Sequence, residues 1–479
     1  MAQFVGRQAE IKKLVSLTKK KTASFIVIKG RRRIGKSRLT DEISSHFDHH
    51  YRFEGLAPDK GITSQHQLEA FSKQFARQFK LPYAPYLDWS DAFWALGERV
   101  ATGKILLVFD EISWMSMDDL TFLAKIKHFW DNYLKKNDHL FFVICGSASA
   151  WIEQNILTST GFVGRISYTL TLEELPLADC NQFWPKNISA YEKLKILAVT
   201  GGVPKYLEEI DTRLSAEENI KQLCFTRGAI LVKEFEQIFS GLFLRKSLIY
   251  KNILEVLVSG PKERSEICAS LNIDAGGRIS DYLEELALAG FIMRDYAWDI
   301  KSGEDAKLSQ YRLSDNYLRF YLKYIGKNIS KIDRNSFHFK SLSSLPEWRT
   351  IMGLQFENVV LNNRALIHAA LAINPDDIIS ENPFYQHKTH RHPGCQIDYM
   401  IQTKFNTLYV CEIKFSKNLI DASVIADIQK KIDSLQYLKG YSFRPVLIHV
   451  NGVTEEVAES DFFALILDFS DVLCHLPLR

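Results

Sequence analysis

The run Gly30-Arg31-Arg32-Arg33-Ile34-Gly35-Lys36-Ser37 has the form GxxxxGK[ST]. A loop of this spacing cradles phosphate. Its glycines let the backbone curl so that N–H groups point at phosphate oxygens. The N-terminus of the helix that follows adds positive partial charge. Lys36 can reach the β- and γ-phosphates, the Ser37 hydroxyl can ligate Mg²⁺, and Arg38 opens the helix. Further along, Ile105-Leu106-Leu107-Val108-Phe109-Asp110-Glu111 is an apolar run ending in two carboxylates. Asp110 is expected to hold Mg²⁺ through water, and Glu111 to orient or deprotonate an attacking water. The plainer alternatives are a Gly-rich turn and an acid pair at a helix N-terminus. Finding both motifs in one chain favours phosphate chemistry.

A second constellation lies near the C-terminus. Gln396-Ile397-Asp398-Tyr399-Met400-Ile401 and Leu408-Tyr409-Val410-Cys411-Glu412-Ile413-Lys414-Phe415 read as two strands joined by a polar turn around Asn406. Glu412 and Lys414 stand two apart and so share one face, while Tyr409, Cys411, Ile413 and Phe415 take the other. A Glu and a Lys in an otherwise apolar strand are costly unless they serve a site. Pairing of the two strands as a hairpin brings Asp398 near Glu412. The preceding helical stretch, residues 348–366, carries Glu357, and Gln429 or Gln436 on the following helix are candidates to complete the site.

The elements between these motifs follow from periodicity. The run Ile26-Val27-Ile28 is the strand feeding the phosphate loop, and Leu140-Phe141-Phe142-Val143-Ile144-Cys145-Gly146-Ser147 is a further buried strand. Ser147, at its end, is a candidate sensor of the γ-phosphate. In Gly161-Phe162-Val163-Gly164-Arg165, Arg165 is either a γ-phosphate ligand, in its own or a neighbouring subunit, or a solvated surface residue. Between residues 47 and 104 one short strand and two helices with aromatic core faces are expected. The break Gly201-Gly202-Val203-Pro204 interrupts a helical region over 194–223. Residues 247–315 read as three helices followed by two strands around a polar loop, the pattern of a winged helix-turn-helix. Its third helix carries Arg278 beside Asp281, Glu284 and Glu285, which favours a structural role over insertion into a DNA groove. The polar segment 327–344 marks the boundary to the last domain. His387-Lys388-Thr389-His390-Arg391-His392 reads as a basic loop more than as a zinc site, since no Cys partners stand at finger spacing.

Phosphate loop, acidic strand end, Gly-Ser strand end, Gly-Arg and Gly-Gly-x-Pro-x-Tyr-Leu together resemble the archaeal-type ATPase family of the AAA+/STAND group, over about residues 1–230. The opening Phe4-Val5-Gly6-Arg7-Gln8-Ala9-Glu10 resembles the segment that precedes the phosphate loop in AAA+ ATPases. The resemblance implies an ASCE core, a lid and a preference for ATP. The run Arg31-Arg32-Arg33 inside the loop departs from the family pattern, although basic residues are common there, and which of the three face phosphate is open. The Asp398…Glu412-x-Lys414 pattern resembles PD-(D/E)xK nucleases, a fold fused to this ATPase family. That resemblance implies Asp398 and Glu412 as Mg²⁺ or Mn²⁺ ligands, Lys414 as a positioner of the nucleophilic water and Glu357 as the extra acidic residue.

Composition sets the bounds. The chain has 479 residues, 46% hydrophobic and 24% charged, with net charge +3, so bulk charge selects no partner. Residues 346–479 carry 12 Lys+Arg against 16 Asp+Glu, which is unfavourable for a phosphate track. Seven Cys without a CxxC pair read as reduced core residues of a cytoplasmic protein. No signal-peptide h-region and no membrane-spanning run is recognised. The expected fold is α/β: a P-loop NTPase with a parallel sheet (1–175), a helical lid (176–240), a winged helix (241–326) and a restriction-endonuclease-like domain (346–479). The expected function couples an ATPase cycle, with ATP and Mg²⁺, to metal-dependent cleavage of nucleic acid, DNA more than RNA, with a homo-oligomer as a further expectation. The alternative is an NTP-dependent switch or scaffold whose nuclease fold only binds a partner.

Overall fold

The computed structural model describes residues 4–475 other than 60, 118, 244–246, 275, 391–392 and 436. Gln436, Arg391 and His392 therefore lie outside the described residues. Five strands, β1 (Ser24–Lys29), β2 (His49–Glu54), β3 (Ile105–Asp110), β4 (Leu140–Gly146) and β5 (Tyr168–Thr171), form a parallel sheet in the order β2-β3-β4-β1-β5. Strand β4 separates the strand that feeds the phosphate loop from the strand that ends in Asp110. Both faces are covered, which is why β1, β3 and β4 read as unbroken apolar runs. Helices Ser64–Gln78, Trp89–Arg99 and Phe122–Asn132 bury Phe71, Phe93 and Phe129 against Phe53, Phe109 and Phe142 on one face. Helices Gln8–Leu17 and Lys36–Ile43 bury Leu14 and Leu39 on the other. The loops that follow β1 and β3 leave the same carboxyl edge, where ligands of such sheets bind.

Beyond β5 the chain enters helices Ala190–Thr200, Pro204–Leu207, Ala216–Phe225 and Ile230–Phe243. The Gly-Gly-x-Pro break locks these helices to the segment after β5. Leu175 N–H donates to the Gly202 carbonyl at 2.8 Å, and Gly202 N–H donates to Glu174 Oε2 at 3.1 Å. A Cβ on Gly202 would lie 2.3 Å from the Leu175 carbonyl oxygen. Backbone cannot yield there as a side chain would. Gly202→Ala is expected to destabilise the protein by about 2–3 kcal/mol, read by denaturant unfolding.

Three helices, Ser247–Leu257, Arg264–Leu271 and Gly277–Leu288, adjoin an antiparallel sheet of β6 (Lys262–Glu263), β7 (Ile292–Trp298) and β8 (Asp305–Leu313), in the order β6-β8-β7. Helix Gly277–Leu288 turns Arg278, Asp281 and Glu284 toward Gln154, in the segment after β4, around a cavity of about 390 Å³. The polar segment 327–344 is not a loose spacer: Phe337 and Phe339 pack on Phe225, and Leu342 is buried.

The last part is a mixed sheet of β9 (Ile378–Gln386), β10 (Cys395–Thr403), β11 (Thr407–Lys414), β12 (Ser442–His449) and β13 (Leu465–Asp468), in the order β13-β12-β11-β10-β9. Strands β9, β10 and β11 are antiparallel, and β12 and β13 run parallel to β11. Helix Trp348–Leu361 covers one face, with Phe356 and Val360 against Tyr399, Cys411 and Ile413. Helix Ser423–Asp433 covers the other, with Val424 and Ile428 against Met400, Val410 and Leu447. Among the described residues no helix is long and apolar enough to cross a membrane.

Candidate functional site

Gly30 (φ 151°), Arg33 (φ 65°) and Gly35 (φ 97°) bend the phosphate loop between β1 and helix Lys36–Ile43. Lys36 is buried, and its Nζ donates to the carbonyls of Gly30 at 2.8 Å and Arg31 at 3.0 Å. Burial pushes its ammonium below the ordinary lysine value, with Glu111 opposing. An incoming phosphate would supply the missing counter-charge. Ser37 Oγ donates to Asp110 Oδ2 at 2.7 Å. Burial works to raise the Asp110 carboxyl, but Arg52, the Cys145 thiol and Ser37 hold it below its usual value. A hydroxyl and an ionised carboxylate in contact are hard oxygen donors and fit Mg²⁺. Glu111 takes a left-handed backbone (φ 53°), and its Oε2 accepts from both Ser147 N–H and Ser147 Oγ at 3.0 Å. Ser147 thus touches the carboxylate that would activate water. A cavity of about 1000 Å³ opens over Lys36, Ser37, Asp110 and Glu111, walled by Arg32, Arg33, Glu54 and Trp114, with Lys205 and Glu208 from the helical segment after β5.

The loop arginines do more than face this cavity. Arg31 turns away from it, buried, into an ion pair with Asp315, with Glu174 at 3.5 Å and Tyr206 OH at 3.2 Å. Arg33 Nε meets Glu234 Oε2 at 2.6 Å, and its guanidinium also donates to Gln237 Oε1 at 2.6 Å. Arg32 donates to the Gln237 carbonyl at 3.1 Å. Arg38 pairs with Glu208 at 3.3 Å. The arginines therefore clamp the helices after β5 onto the phosphate loop. Arg165 is not brought to the loop. It is bonded to Asp131 at 2.8 Å, close to the start of β1, where Ser167 N–H donates to the Phe25 carbonyl. The phosphate loop leaves the other end of that strand, about 13 Å away.

Two contributors lie outside the sequence expectation. Arg52, on β2, pairs with Asp110 and reaches Asp41 at 3.3 Å. An arginine in a six-residue strand was the only signal for it. Arg7, a left-handed residue, is buried and donates to the carbonyls of Ile34, at 3.4 Å, and Glu173. Its signal was the Gly-Arg-x-x-Glu opening, whose Glu10 accepts from Arg7 at 3.1 Å.

Glu174 gives a pH prediction. Burial, together with repulsion from Asp315 and against the pull of Arg31, pushes its carboxyl from the ordinary 4.5 up to about 7. The folded protein then holds a proton that the unfolded chain has released, so stability falls as pH rises from about 4.5 to about 7. Glu174→Gln removes that loss. It is expected to be more stable than the parent by about 1–2 kcal/mol at pH 8, with little difference at pH 4.5, read from unfolding curves at both values.

The second constellation also converges. Tyr399 pairs with Cys411 across the β10–β11 hairpin, which sets Asp398 at the level of Glu412, and Asp398 Oδ2 accepts from Ile413 N–H at 2.9 Å. Lys414 Nζ lies 2.7 Å from Glu412 Oε1. Lys431, on helix Ser423–Asp433, lies 2.5 Å from Glu412 Oε2 and 3.5 Å from Asp398 Oδ1. Burial raises Asp398, with Glu412 adding to the rise, while the two lysines outweigh burial and hold Glu412 low. Glu357 is pushed up to about 8 by burial and by Asp398. Gln429 does not complete this site; it is exposed and donates to Asp433 at 2.7 Å, and Lys431 takes the place instead. Among the described residues no group of three or more His, Cys, Asp or Glu converges on a common metal position. The two hard carboxylates bridged by the Lys431 ammonium still fit a cation between them. His387 pairs with Glu263 at 2.6 Å, away from any metal-type cluster.

The parallel sheet, phosphate loop and paired acids define a P-loop ATPase. Residues 4–210 match the family described as an ATPase domain predominantly from Archaea, and the chain is an ATPase. An uncharacterized protein of Methanocaldococcus jannaschii is 25% identical over 363 residues, 74% of this chain and 76% of that one. Among solved structures, a Walker-type ATPase of Pyrococcus abyssi is 17% identical, covering 67% of this chain and 96% of its own, with TM-score 0.49. The ORC2 protein of Aeropyrum pernix is 14% identical, covering 70% and 95%, with TM-score 0.40.

Proposed function

We propose that this ATPase couples its cycle to metal-dependent cleavage of nucleic acid, DNA in preference to RNA, at a C-terminal nuclease-like site. The supporting observation is the convergence of Asp398, Glu412 and Lys414 on a buried hairpin, with Glu357 on the covering helix. On this reading the chain divides into an ATPase core (1–175), a lid (176–240), a winged helix (241–326) and a nuclease-like domain (346–479). In the ATPase core the loop N–H groups and Lys36 bind the ATP phosphates. Ser37 and Asp110 hold Mg²⁺, which when bound neutralises charge on the β- and γ-phosphates. Glu111, held by Ser147, takes the proton of the attacking water. In the second site Asp398 and Glu412 would hold Mg²⁺ or Mn²⁺, which when bound lowers the pKa of a water and stabilises charge at the scissile phosphate. Lys414 positions that water, and Lys431 is displaced or stabilises the leaving oxygen. The winged helix serves as a structural bridge, its acidic third helix turned to the ATPase part. Assembly into a homo-oligomer, with Arg165 serving a neighbour's nucleotide, belongs to the same reading.

The test is digestion of labelled single- and double-stranded DNA and RNA by the purified chain with Mg²⁺ or Mn²⁺. Cleavage of DNA by the parent and not by Asp398→Ala supports the reading. A second reading, an NTP-driven switch or scaffold, is favoured by the acidic surplus of residues 346–479 and by Lys431 seated on both carboxylates. It predicts no cleavage of any substrate while ATP turnover continues.

A further inference from the structure

Arg31 of the phosphate loop is held outside the nucleotide cavity by a residue from far along the chain. Its partner Asp315 is fully buried and also caps the short helix Asn316–Phe320, accepting from Leu318 N–H at 2.9 Å. The same turn is stitched to helix Trp348–Leu361, which carries Glu357. Asn316 Nδ2 donates to the Gln355 carbonyl at 3.0 Å, and Gln355 Nε2 donates back to the Asn316 carbonyl at 2.9 Å. Asn358 Nδ2 donates to Asn316 Oδ1 at 2.9 Å. At the far end of the turn Arg319 is fully buried. It donates to the Leu313 carbonyl at 2.5 Å, while its Nε and Nη1 have no hydrogen-bond partner among the described residues. Burial lowers the Arg319 guanidinium below its ordinary value, with Glu357 opposing. One buried polar chain therefore runs from the phosphate loop, through Asp315 and Asn316, to helix Trp348–Leu361, which carries Glu357.

The structure holds this chain in one arrangement, with Arg31 on Asp315. Lys36 now spends its ammonium on the carbonyls of Gly30 and Arg31. A γ-phosphate competes for that ammonium and releases the backbone on which Arg31 sits. An Arg31 side chain seated on Asp315 is not available to the bound phosphates. A close-packed interior passes such a change as a discrete shift, not a gradual strain. We propose that the Asp315–Arg319 turn couples the two sites: with Arg31 on Asp315 the turn holds Glu357 and the β10–β11 hairpin in one arrangement, and nucleotide binding releases them. The proposal rests on the reading of the second site as functional, but its test does not require cleavage. Reciprocity requires that whatever loosens the Asp315 contact also tightens nucleotide binding.

The experiment is amide hydrogen exchange of the full chain with and without Mg²⁺ and a non-hydrolysable ATP analogue, beside analogue affinity. In the parent, saturating analogue is expected to change exchange about fivefold or more in residues 348–361 and 396–415. Asp315→Asn is expected to bind the analogue about fivefold more tightly and to lose that response. An unchanged response in Asp315→Asn, or analogue-bound parent protein with no response, overturns the proposal. Should Asp315→Asn fail to fold, Arg31→Gln at saturating analogue is decisive in its place, since it too must lose the response. A response in a chain that cleaves nothing retains the coupling and rejects the nuclease. Cleavage without any response rejects the coupling alone.

Discussion

Glu111→Gln is expected to bind ATP within a few-fold of the parent and to lower turnover by about 10²–10³-fold. The amide keeps the size of the side chain and can still meet Ser147, whose hydroxyl and N–H now hold Glu111 Oε2. What it cannot do is accept a proton from water. The groups that bind phosphate, Lys36 and the loop N–H donors, are untouched, so binding and turnover should part company. The loss corresponds to about 3–4 kcal/mol of transition-state stabilisation. Filter binding of labelled ATP, set beside phosphate release, reads both quantities. Equal losses in the two would place Glu111 in binding instead of in the chemical step.

Asp398→Asn is expected to lower metal-dependent cleavage by about 10³-fold and to leave ATP turnover within a few-fold. Two consequences of the geometry combine. The substitution removes one of two carboxylates that share the Lys431 ammonium, so a divalent ion loses half of its anionic charge. It also leaves Glu412 paired with both lysines and thus better neutralised without metal. Mn²⁺ binding, followed by electron paramagnetic resonance, should weaken in parallel with cleavage. Retained cleavage with weakened metal binding would place the chemistry elsewhere in the chain.

The parts of this molecule that were legible in the sequence are those whose chemistry is local. The phosphate loop, the strand ending in Asp110-Glu111 and the Asp398–Glu412–Lys414 hairpin each lie in one short stretch whose spacing dictates the conformation. The apolar runs of β1, β3 and β4 announced a sheet buried on both faces. Other strands were hidden. Strand β12 lies inside its sheet yet carries Pro445, which removes a ladder donor and masks the pattern, and β9 is likewise broken by Pro383. Strand β5 has only four residues, half of them exposed. The site residues that escaped were those supplied across long sequence separations. Arg52 meets Asp110 and Lys431 meets Glu412 because sheet order and helix packing bring them there, and no spacing rule reports that. The roles of the loop arginines were illegible for the same reason: their partners, Asp315, Glu234 and Glu208, are contributed by the turn after β8 and by the helices after β5.

In the coupling proposed above, the ATP site governs the second site. The most direct measurement is the rate of cleavage of labelled duplex DNA by the full chain in Mg²⁺, with ATP, with a non-hydrolysable analogue and with neither, beside Lys36→Ala. Nucleotide is expected to change the rate about fivefold or more, and Lys36→Ala to stay at the nucleotide-free rate in every mixture. Cleavage that is identical in all mixtures, or an ATPase that turns over while no nucleic acid is cut, would contradict it.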